Sequence, residues 1–253
     1  MEEEKNPIQV ADRLFGAMEI MAAKGPLTLM QLSKELELNK STVHRILNSL
    51  IYMGYAKQDI ENGKYAMSYK ILGLANQVLE KSDVLTMVRP FLKKLASLSG
   101  ETVHFVQLDG NEAVYIDKVE SYQNSVRMVS KVGNRIPLYC SGVGKAIAAQ
   151  LKDNEVDLLW KNSNIQSYTK NTVVELDKFK KLLKQVRKLG YALDNEEMEI
   201  GVRCIAVCIT DFNGKPRYAF SISAPISRMT DQRVKELAVY ILDAKADVIE
   251  EMR

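Results

Sequence analysis

The sequence predicts an α+β protein in two parts, and three observations carry that prediction. Residues 9–53 show helical periodicity broken by capping and glycine signals, and a short hairpin follows them. From Thr102 onward, β-rich segments flank Asp-Gly-Asn and Asn-Gly turns. Helices lie between these two hairpins and another closes the chain, which is the order of an antiparallel sheet with helices and not of alternating βα units. At 253 residues and 28.6 kDa the chain has room for one or two domains.

The first helix is read from Gln9 to Ala23, with Val10, Leu14, Ala17, Met18 and Met21 at helical spacing. It stops at Lys24-Gly25-Pro26, a basic last turn followed by two breakers. Thr28 is the natural N-cap of a short second helix, Leu29 to Leu36, and Gln31 completes a capping box. Asn39 caps a third helix running to Met53, with Gly54 as its stop. Val43, Ile46, Leu47, Leu50 and Ile51 form the expected buried stripe of that helix. Asn62-Gly63 between Tyr55–Gln58 and Lys64–Met67 predicts a hairpin. Tyr69 to Lys81 is again helical, with an apolar face of the kind that packs on something, a partner subunit being one option.

The second part opens with a helix from Val84 to Ser99, capped by Ser82-Asp83 and ended by Gly100. Thr102–Leu108 and Ala113–Val119 are strands around Asp109-Gly110-Asn111, and Ser125–Val132 is expected as a third. Helices are expected at Gly142–Leu151, Asp153–Trp160 and Glu175–Leu189, the last closed by Gly190. Cys204–Phe212 and Pro216–Ser223 are strands around Asn213-Gly214. Thr230 or Asp231 caps a final helix to Glu251.

Composition narrows the function classes. With 46% hydrophobic and 26% charged residues, the chain is an ordinary folded protein, not a fibrous or disordered one. No apolar run approaches the ~18 residues of a membrane span. The acidic start Met1-Glu2-Glu3-Glu4-Lys5 lacks the apolar region of a secretory signal. Three cysteines, Cys140, Cys204 and Cys208, make no disulfide framework, and a reducing cytoplasm is the expected location. The net charge of +3 says little, but its distribution says more. Residues 38–58 hold Lys40, His44, Arg45 and Lys57 and no Asp or Glu, a footprint suited to phosphates.

The short-helix, turn, longer-helix unit matches a helix-turn-helix, and the hairpin after it makes it a winged one. A recognition helix needs short polar side chains where its backbone enters the major groove, and donors that reach base edges. Ser41, Thr42 and Arg45 supply these on one outward face, and Arg45 is suited to bidentate bonding to guanine. Lys40, His44, Asn48 and the wing residues Lys57 and Lys64 are placed for phosphates. Three packed helices with a solvated polar face satisfy the same pattern.

In the second part, Gly142-x-Gly144-Lys145 opening a helix suits a small anion, and equally suits a tight helix start that needs glycine. Asp194-Asn195-Glu196-Glu197 with Glu199 is either a divalent-metal cluster or a solvated loop. Cys204 and Cys208 fall on one face of a strand, as do Ser221 and Ser223. The cysteines lack the partners of a zinc site. With His104 either of them would make a thiol-dependent enzyme, the alternative from another class. Small residues lining a pocket fit them better, and the two serines offer hydroxyls to a ligand carboxylate or simply pack. A ligand-binding scaffold whose helical unit only dimerises is a third reading.

Taken together these runs resemble the IclR family of bacterial transcriptional regulators, from about Val10 to Glu251. The resemblance rests on residues 41–47, 100–104, 114–120, 137–146, 190–197, 201–206 and 221–225, in that order and spacing. It implies a winged helix-turn-helix DNA-binding domain at residues 8–69, a linker helix at 70–82 and a GAF-like effector-binding domain at 83–253. It implies a non-enzymatic regulator, mostly a repressor, of an operon for catabolism of small organic or sugar acids. The partners implied are double-stranded operator DNA, a small organic acid and a second copy of the chain, the dimers pairing into tetramers. No cofactor or metal is implied. The family's effector pocket falls on Met128, Gly142, Val143, Asp194, Cys204, Ser221 and Ser223, and it gives Asp194 to the ligand's polar end rather than to a metal. Cys140 departs from the small non-thiol residue common there. Arg127–Ser130 with Pro137–Tyr139 is more similar to the branch regulating pectin-derived keto-sugar acids, the KdgR-type regulators, than to the glyoxylate-shunt repressor.

Overall fold

The computed structural model describes residues 6–81, 83–120, 128–211 and 214–252. The chain separates into two compact units, Met1–Lys81 and Ser82–Arg253.

In the first unit, α1 (Gln9–Lys24), α2 (Leu29–Glu35) and α3 (Lys40–Tyr52) enclose a small core with a two-stranded hairpin, β1 (Ala56–Gln58) and β2 (Tyr65–Met67). The expected caps are present. Thr28 and Gln31 form a reciprocal capping box on α2, and the Asn39 side chain accepts from the Thr42 N–H at 2.9 Å. Glu37 takes a positive φ of 53° to make the tight turn between α2 and α3. Ala17, Met21, Leu32, Val43, Leu47 and Leu50 are almost wholly buried. Each such aliphatic side chain contributes roughly 1.5–3 kcal/mol relative to exposure. Ile51 does not join them: it lies at the end of the stripe, rotated toward solvent, and is 36% exposed. Asp59 organises the hairpin loop, its side chain accepting from the Glu61 N–H and the Asn62 amide. A bridge between Leu27 and Tyr65 ties the hairpin to the segment before α2. α4 (Lys70–Glu80) follows, anchored by Lys70, whose ammonium donates to the Met53 carbonyl and lies over the Tyr55 ring. Ile71, Leu72, Leu74 and Val78 of α4 are exposed.

The second unit is a six-stranded antiparallel sheet in the order β5-β4-β3-β8-β7-β6. The strands are β3 (Thr102–Asp109), β4 (Glu112–Val119), β5 (Arg135–Pro137), β6 (Ala192–Asn195), β7 (Val202–Thr210) and β8 (Pro216–Pro225). The strand period of two sorts their side chains. Val103, Phe105, Ile205, Val207, Ile209, Phe220 and Ile222 pack with α5 (Asp83–Ser99) and α9 (Asp231–Glu251). Val106, Ala206, Cys208 and Ala219 face the other way, under α6 (Gly142–Ala148), α7 (Asp153–Lys161) and α8 (Leu176–Leu189). Small residues on that second face let α6 lie close to the sheet, and all seven of its residues are buried.

Three expectations change here. Of the strand expected at Ser125–Val132, residues 125–127 lie outside the described residues and Met128–Val132 is irregular. The Lys118 ammonium takes the Met128 and Ser130 carbonyls, at 2.6 and 3.0 Å, in place of a neighbouring strand. The strand in this region is β5, after a turn in which Gly133 has φ of +91°. α6 ends at Ala148 rather than Leu151, because the last turn tightens to i+3 bonds from the Gln150 and Leu151 N–H groups. β6 is a strand that the sequence pattern did not announce. The Ser82 cap and the residues Phe212-Asn213 lie outside the described residues. Thr230, not Asp231, caps α9.

Candidate functional site

The outward face of α3 carries the polar set expected of it. Lys40, Ser41, His44, Arg45 and Asn48 are exposed, and Thr42 is half-buried. Ser41 donates to the Asn39 side chain at 2.9 Å, which holds its hydroxyl at the start of the helix. Asn48 and His44 lie 3.4 Å apart along the same face. Among the described residues no carboxylate pairs with Lys40 or Arg45, so both charges face solvent unneutralised. Lys57 is exposed on β1 and stands over the Tyr69 ring, while Lys64 is half-buried at the end of the hairpin loop. The face therefore presents fixed hydrogen-bonding groups at the helix start and cations around them, an arrangement suited to base edges and phosphates.

In the second unit a cavity of about 330 Å³ opens on the α6 side of the sheet. Met128, Gly142, Val143, Asp194, Cys204, Ser221 and Ser223 all line it. Register explains their convergence. Cys204 pairs with Asp194 on one side and Ser223 on the other, and Ser221 lies opposite His104. A β-bulge in the pairing of β3 with β4 sets Tyr115 opposite Val106, on the cavity face. Tyr115 and His104 rings then meet at 5.1 Å.

His104, which the sequence offered only as a base for a thiol, lines this cavity. Its Nδ1 is 3.1 Å from the Ser223 hydroxyl and its Nε2 is 2.5 Å from that of Ser130. Ser221 and Ser223 hydroxyls are 3.3 Å apart, so a chain of hydrogen bonds crosses the floor. Burial, helped by the Lys118 charge, drives the His104 pKa down to about 3, so the imidazole is neutral. Tyr115, Ser130 and Met198 are further lining residues that the sequence did not single out.

Burial likewise pushes the Asp194 carboxyl up to about 6, against the pull of Lys145 and the Glu197 and Met198 N–H groups. The Glu197 N–H donates to Asp194 Oδ1 at 2.8 Å. Glu197 itself is ion-paired with Lys145 in the interior, and both are almost fully buried. The acidic run is thus spent on an internal pair and a cavity wall. Among the described residues no group of His, Cys, Asp or Glu is placed to hold a metal.

The Gly-x-Gly helix start resolves into two roles. A Cβ at Gly144 would lie 2.3 Å from the Leu138 Cα and carbonyl oxygen, so that glycine is required by packing. Its N–H is taken by the Ser141 hydroxyl at 3.1 Å. A Cβ at Gly142 would meet only Ala206 and Asp194 at 3.3–3.6 Å, and Gly142 is the one at the cavity.

The thiol-enzyme alternative does not fit this site. Burial raises the Cys204 pKa far above its usual value, and burial raises Cys208 to about 12 within the core. His104, with its pKa near 3 and both nitrogens engaged by serines, is too weak a base to take the proton of such a thiol.

With both sites in view, comparison with known proteins is decisive. The IclR helix-turn-helix model matches residues 10–59, and the model for the bacterial transcriptional regulator IclR C-terminal region matches residues 76–250. The chain belongs to the IclR family of bacterial transcriptional regulators. Among IclR-family relatives, the Escherichia coli transcriptional repressor IclR is 36% identical over 231 residues, covering 90% of this chain and 84% of that protein. The E. coli HTH-type transcriptional regulator KdgR is 32% identical over 251 residues, covering 98% and 95%. The crystal structure of the Thermotoga maritima IclR superposes with a TM-score of 0.83 at 28% identity, covering 96% of this chain and 98% of that one. The winged unit is therefore the DNA-binding part of an IclR-family transcriptional regulator, and the sheet unit is its effector-binding part. Among the described residues no helix is long and apolar enough to cross a membrane.

Proposed function

We propose that this protein is a cytoplasmic, non-enzymatic repressor that leaves its operator when a small organic acid fills the cavity of the second unit. The regulated operon serves uptake or breakdown of such acids. Residues 8–69 form the DNA-binding domain, 70–82 the linker helix and 83–253 the effector domain. The observation that carries the reading is the convergence of Met128, Gly142, Val143, Asp194, Cys204, Ser221 and Ser223, spread over 96 positions from first to last, on one cavity of about 330 Å³. That volume suits a small, polar ligand held by a few placed groups. Ser221 and Ser223 offer hydroxyls to it, Asp194 and Cys204 face each other across a strand pair, and Met128 and Val143 supply apolar wall.

On DNA, Ser41, Thr42 and Arg45 read base edges, and Lys40, His44, Asn48 and Lys57 hold phosphates. The exposed apolar face of α4 supports a homodimer, and dimers pair into tetramers. Two-fold symmetry then calls for a pseudo-palindromic operator. The named repressors among the relatives include the acetate operon repressor of Salmonella typhimurium, which supports the acid class of ligand without choosing one acid.

The test is capture of sheared genomic DNA by the purified protein at near-physiological salt, sequenced, with and without a panel of small organic acids. Enrichment of a few palindromic fragments, reduced by one acid, is expected. No enrichment under any condition, with folded protein, overturns the repressor reading.

A further inference from the structure

The charges around the effector cavity constrain how an acid can occupy it. Asp194 is 4% exposed and lines the cavity. The groups facing it come from every neighbouring element. Lys145 approaches from α6, but its ammonium is bound to Glu197, which follows β6. Cys204 on β7, Tyr115 on β4 and Cys140 before α6 are all held in their protonated forms by burial. Glu199 sits at the exposed rim. On the far side His104 is neutral. Arg135 lines the mouth, but its guanidinium is turned to Asp109 and Glu112. Lys118, behind the Met128–Ser130 wall, is paired with Glu120 and with two carbonyls. Among the described residues, every cation lining or backing the cavity is matched by a carboxylate.

Among the described residues, a ligand carboxylate that enters ionised therefore meets Asp194 with no spare side-chain cation to offset the pair. Two carboxylates sharing a buried site do not both stay ionised; the proton affinity of one rises. The ligand, as the stronger acid of the two, keeps the negative charge, and the side chain keeps the proton.

We propose that the acid binds together with one proton, and that Asp194, as a carboxylic acid, donates a hydrogen bond to the ligand's carboxylate. This rests on the reading that the effector is an acid. It gives Asp194 a role opposite to that of an ionised acceptor, and it makes the regulator's sensitivity to its effector depend on pH. His104, Tyr115 and Cys204 hold one protonation state throughout the neutral range, so Asp194 is the buried cavity group that can supply the dependence.

The experiment is isothermal titration of the full chain with acetate, lactate, pyruvate, succinate and gluconate in turn. The acid that binds is then followed from pH 6 to pH 8 in two buffers of contrasting ionisation enthalpy. For a group titrating near 6, the affinity falls about 50-fold across that range, and the buffer comparison reads proton uptake rising from about half a proton per site at pH 6 to about one at pH 8. Asp194→Asn places an amide donor where the acid proton was. It binds the acid at pH 8 at least tenfold more tightly than the native protein and loses the pH slope. A flat affinity without proton uptake overturns the proposal, as does loss of binding in a folded Asp194→Asn variant; either makes Asp194 an ionised acceptor for ligand hydroxyls. Failure of all five acids at every pH overturns the acid-effector reading itself, and the proton coupling with it.

Discussion

Gly144→Ala places two opposing effects in direct competition. Alanine is favoured over glycine inside a helix by roughly 1 kcal/mol, so propensity alone makes this variant more stable. Packing opposes it. The added Cβ would lie 2.3 Å from the Leu138 Cα, 2.3 Å from its carbonyl oxygen and 2.6 Å from its carbonyl carbon. All three are backbone atoms, so no rotamer change relieves the contact. Leu138 must retreat by more than an ångström, and its surroundings resist. Leu138 and Tyr139 are 1% exposed, Cys140 is fully buried, and the Ser141 hydroxyl ties α6 back to the Pro137 carbonyl at 2.7 Å. Overpacking that a side chain can absorb costs ~1–3 kcal/mol, and backbone displacement exceeds it; about 3–5 kcal/mol is expected here. For a unit of this size that lowers Tm by about 6–20 °C. Differential scanning calorimetry of the full chain should show the effector-unit transition shifted by that amount. Gly142→Ala is the control two residues away. Its Cβ meets the Ala206 Cβ at 3.3 Å and Asp194 atoms at 3.5–3.6 Å, contacts that a few tenths of an ångström relieve. Its stability should change by less than about 1 kcal/mol. A Gly144→Ala transition within about 2 °C of the native one would refute the seating of α6 on Leu138.

Arg45→Ala should cost roughly 1–3 kcal/mol of discrimination between operator and scrambled duplex at fixed salt, read by competition binding; an unchanged ratio removes Arg45 from base readout. Lys145→Met strips the ammonium from Glu197, whose Oε2 is already buried without a hydrogen-bond partner, and urea unfolding should show a loss of about 3–5 kcal/mol. Adding Glu197→Gln to it should restore part of that loss, and no restoration would mean that packing, not charge, sets the cost. His104 takes up its proton near pH 3 in the fold and near 6.5 when unfolded, so its contribution to stability is full above 6.5 and is lost as pH falls toward 3. Asp194 acts oppositely, gaining its proton first in the fold, so stability rises as pH falls from about 6 to 3.8. His104→Asn should therefore unmask a rise in Tm on acidification from pH 6 to 4 that the native protein hides; a profile parallel to the native one would refute the opposed titrations.

The N-terminal unit was legible because its signals are local. The Thr28 capping box, the Asn39 cap and the Gly54 stop each act within one helical turn, and the structure realises all three. Ile51 was misread for the same reason: a helical stripe says which side is apolar, not how far the core reaches along it. The sheet was legible where period-two runs were long, as in β3, β4, β7 and β8, and illegible at its edges. β5 is three residues and β6 four, too short to show alternation, and they are strands only because β4 and β7 offer free edges to pair with. Cys204, Ser221 and Ser223 were assigned to shared faces from spacing alone. That those faces meet in one cavity with Met128 came from resemblance, since register between distant strands is a tertiary fact. His104 was considered only as a base for a thiol, and its place in the pocket was missed because it sits within an apolar strand. Only the pairing of β3 with β8 puts it opposite Ser221 and within reach of Ser223.

The walls of the cavity are held with very different strengths, and this bears on how a ligand can act at a distance. A ligand shifts an equilibrium only by its differential affinity for two arrangements. The α6 wall offers little scope: its residues are buried on every side, and its glycine at 144 touches backbone. The opposite wall, Met128–Ser130, forms no strand and is held by Lys118 on two carbonyls and by His104 on the Ser130 hydroxyl. Each such bond contributes about 1 kcal/mol net, somewhat more from the charged lysine. A ligand that claims His104 Nε2 thus works against about one hydrogen bond, whereas one that displaces α6 works against the packing of a whole buried helix. On the proposed release by an acid, these magnitudes make the Met128–Ser130 wall the element expected to respond. They also make Ser130→Ala, which removes that bond while leaving the cavity floor in place, the substitution that should shift the effector concentration needed for release by roughly fivefold. A fluorescence titration of operator release against the acid checks it, and an unshifted midpoint would return the response to α6.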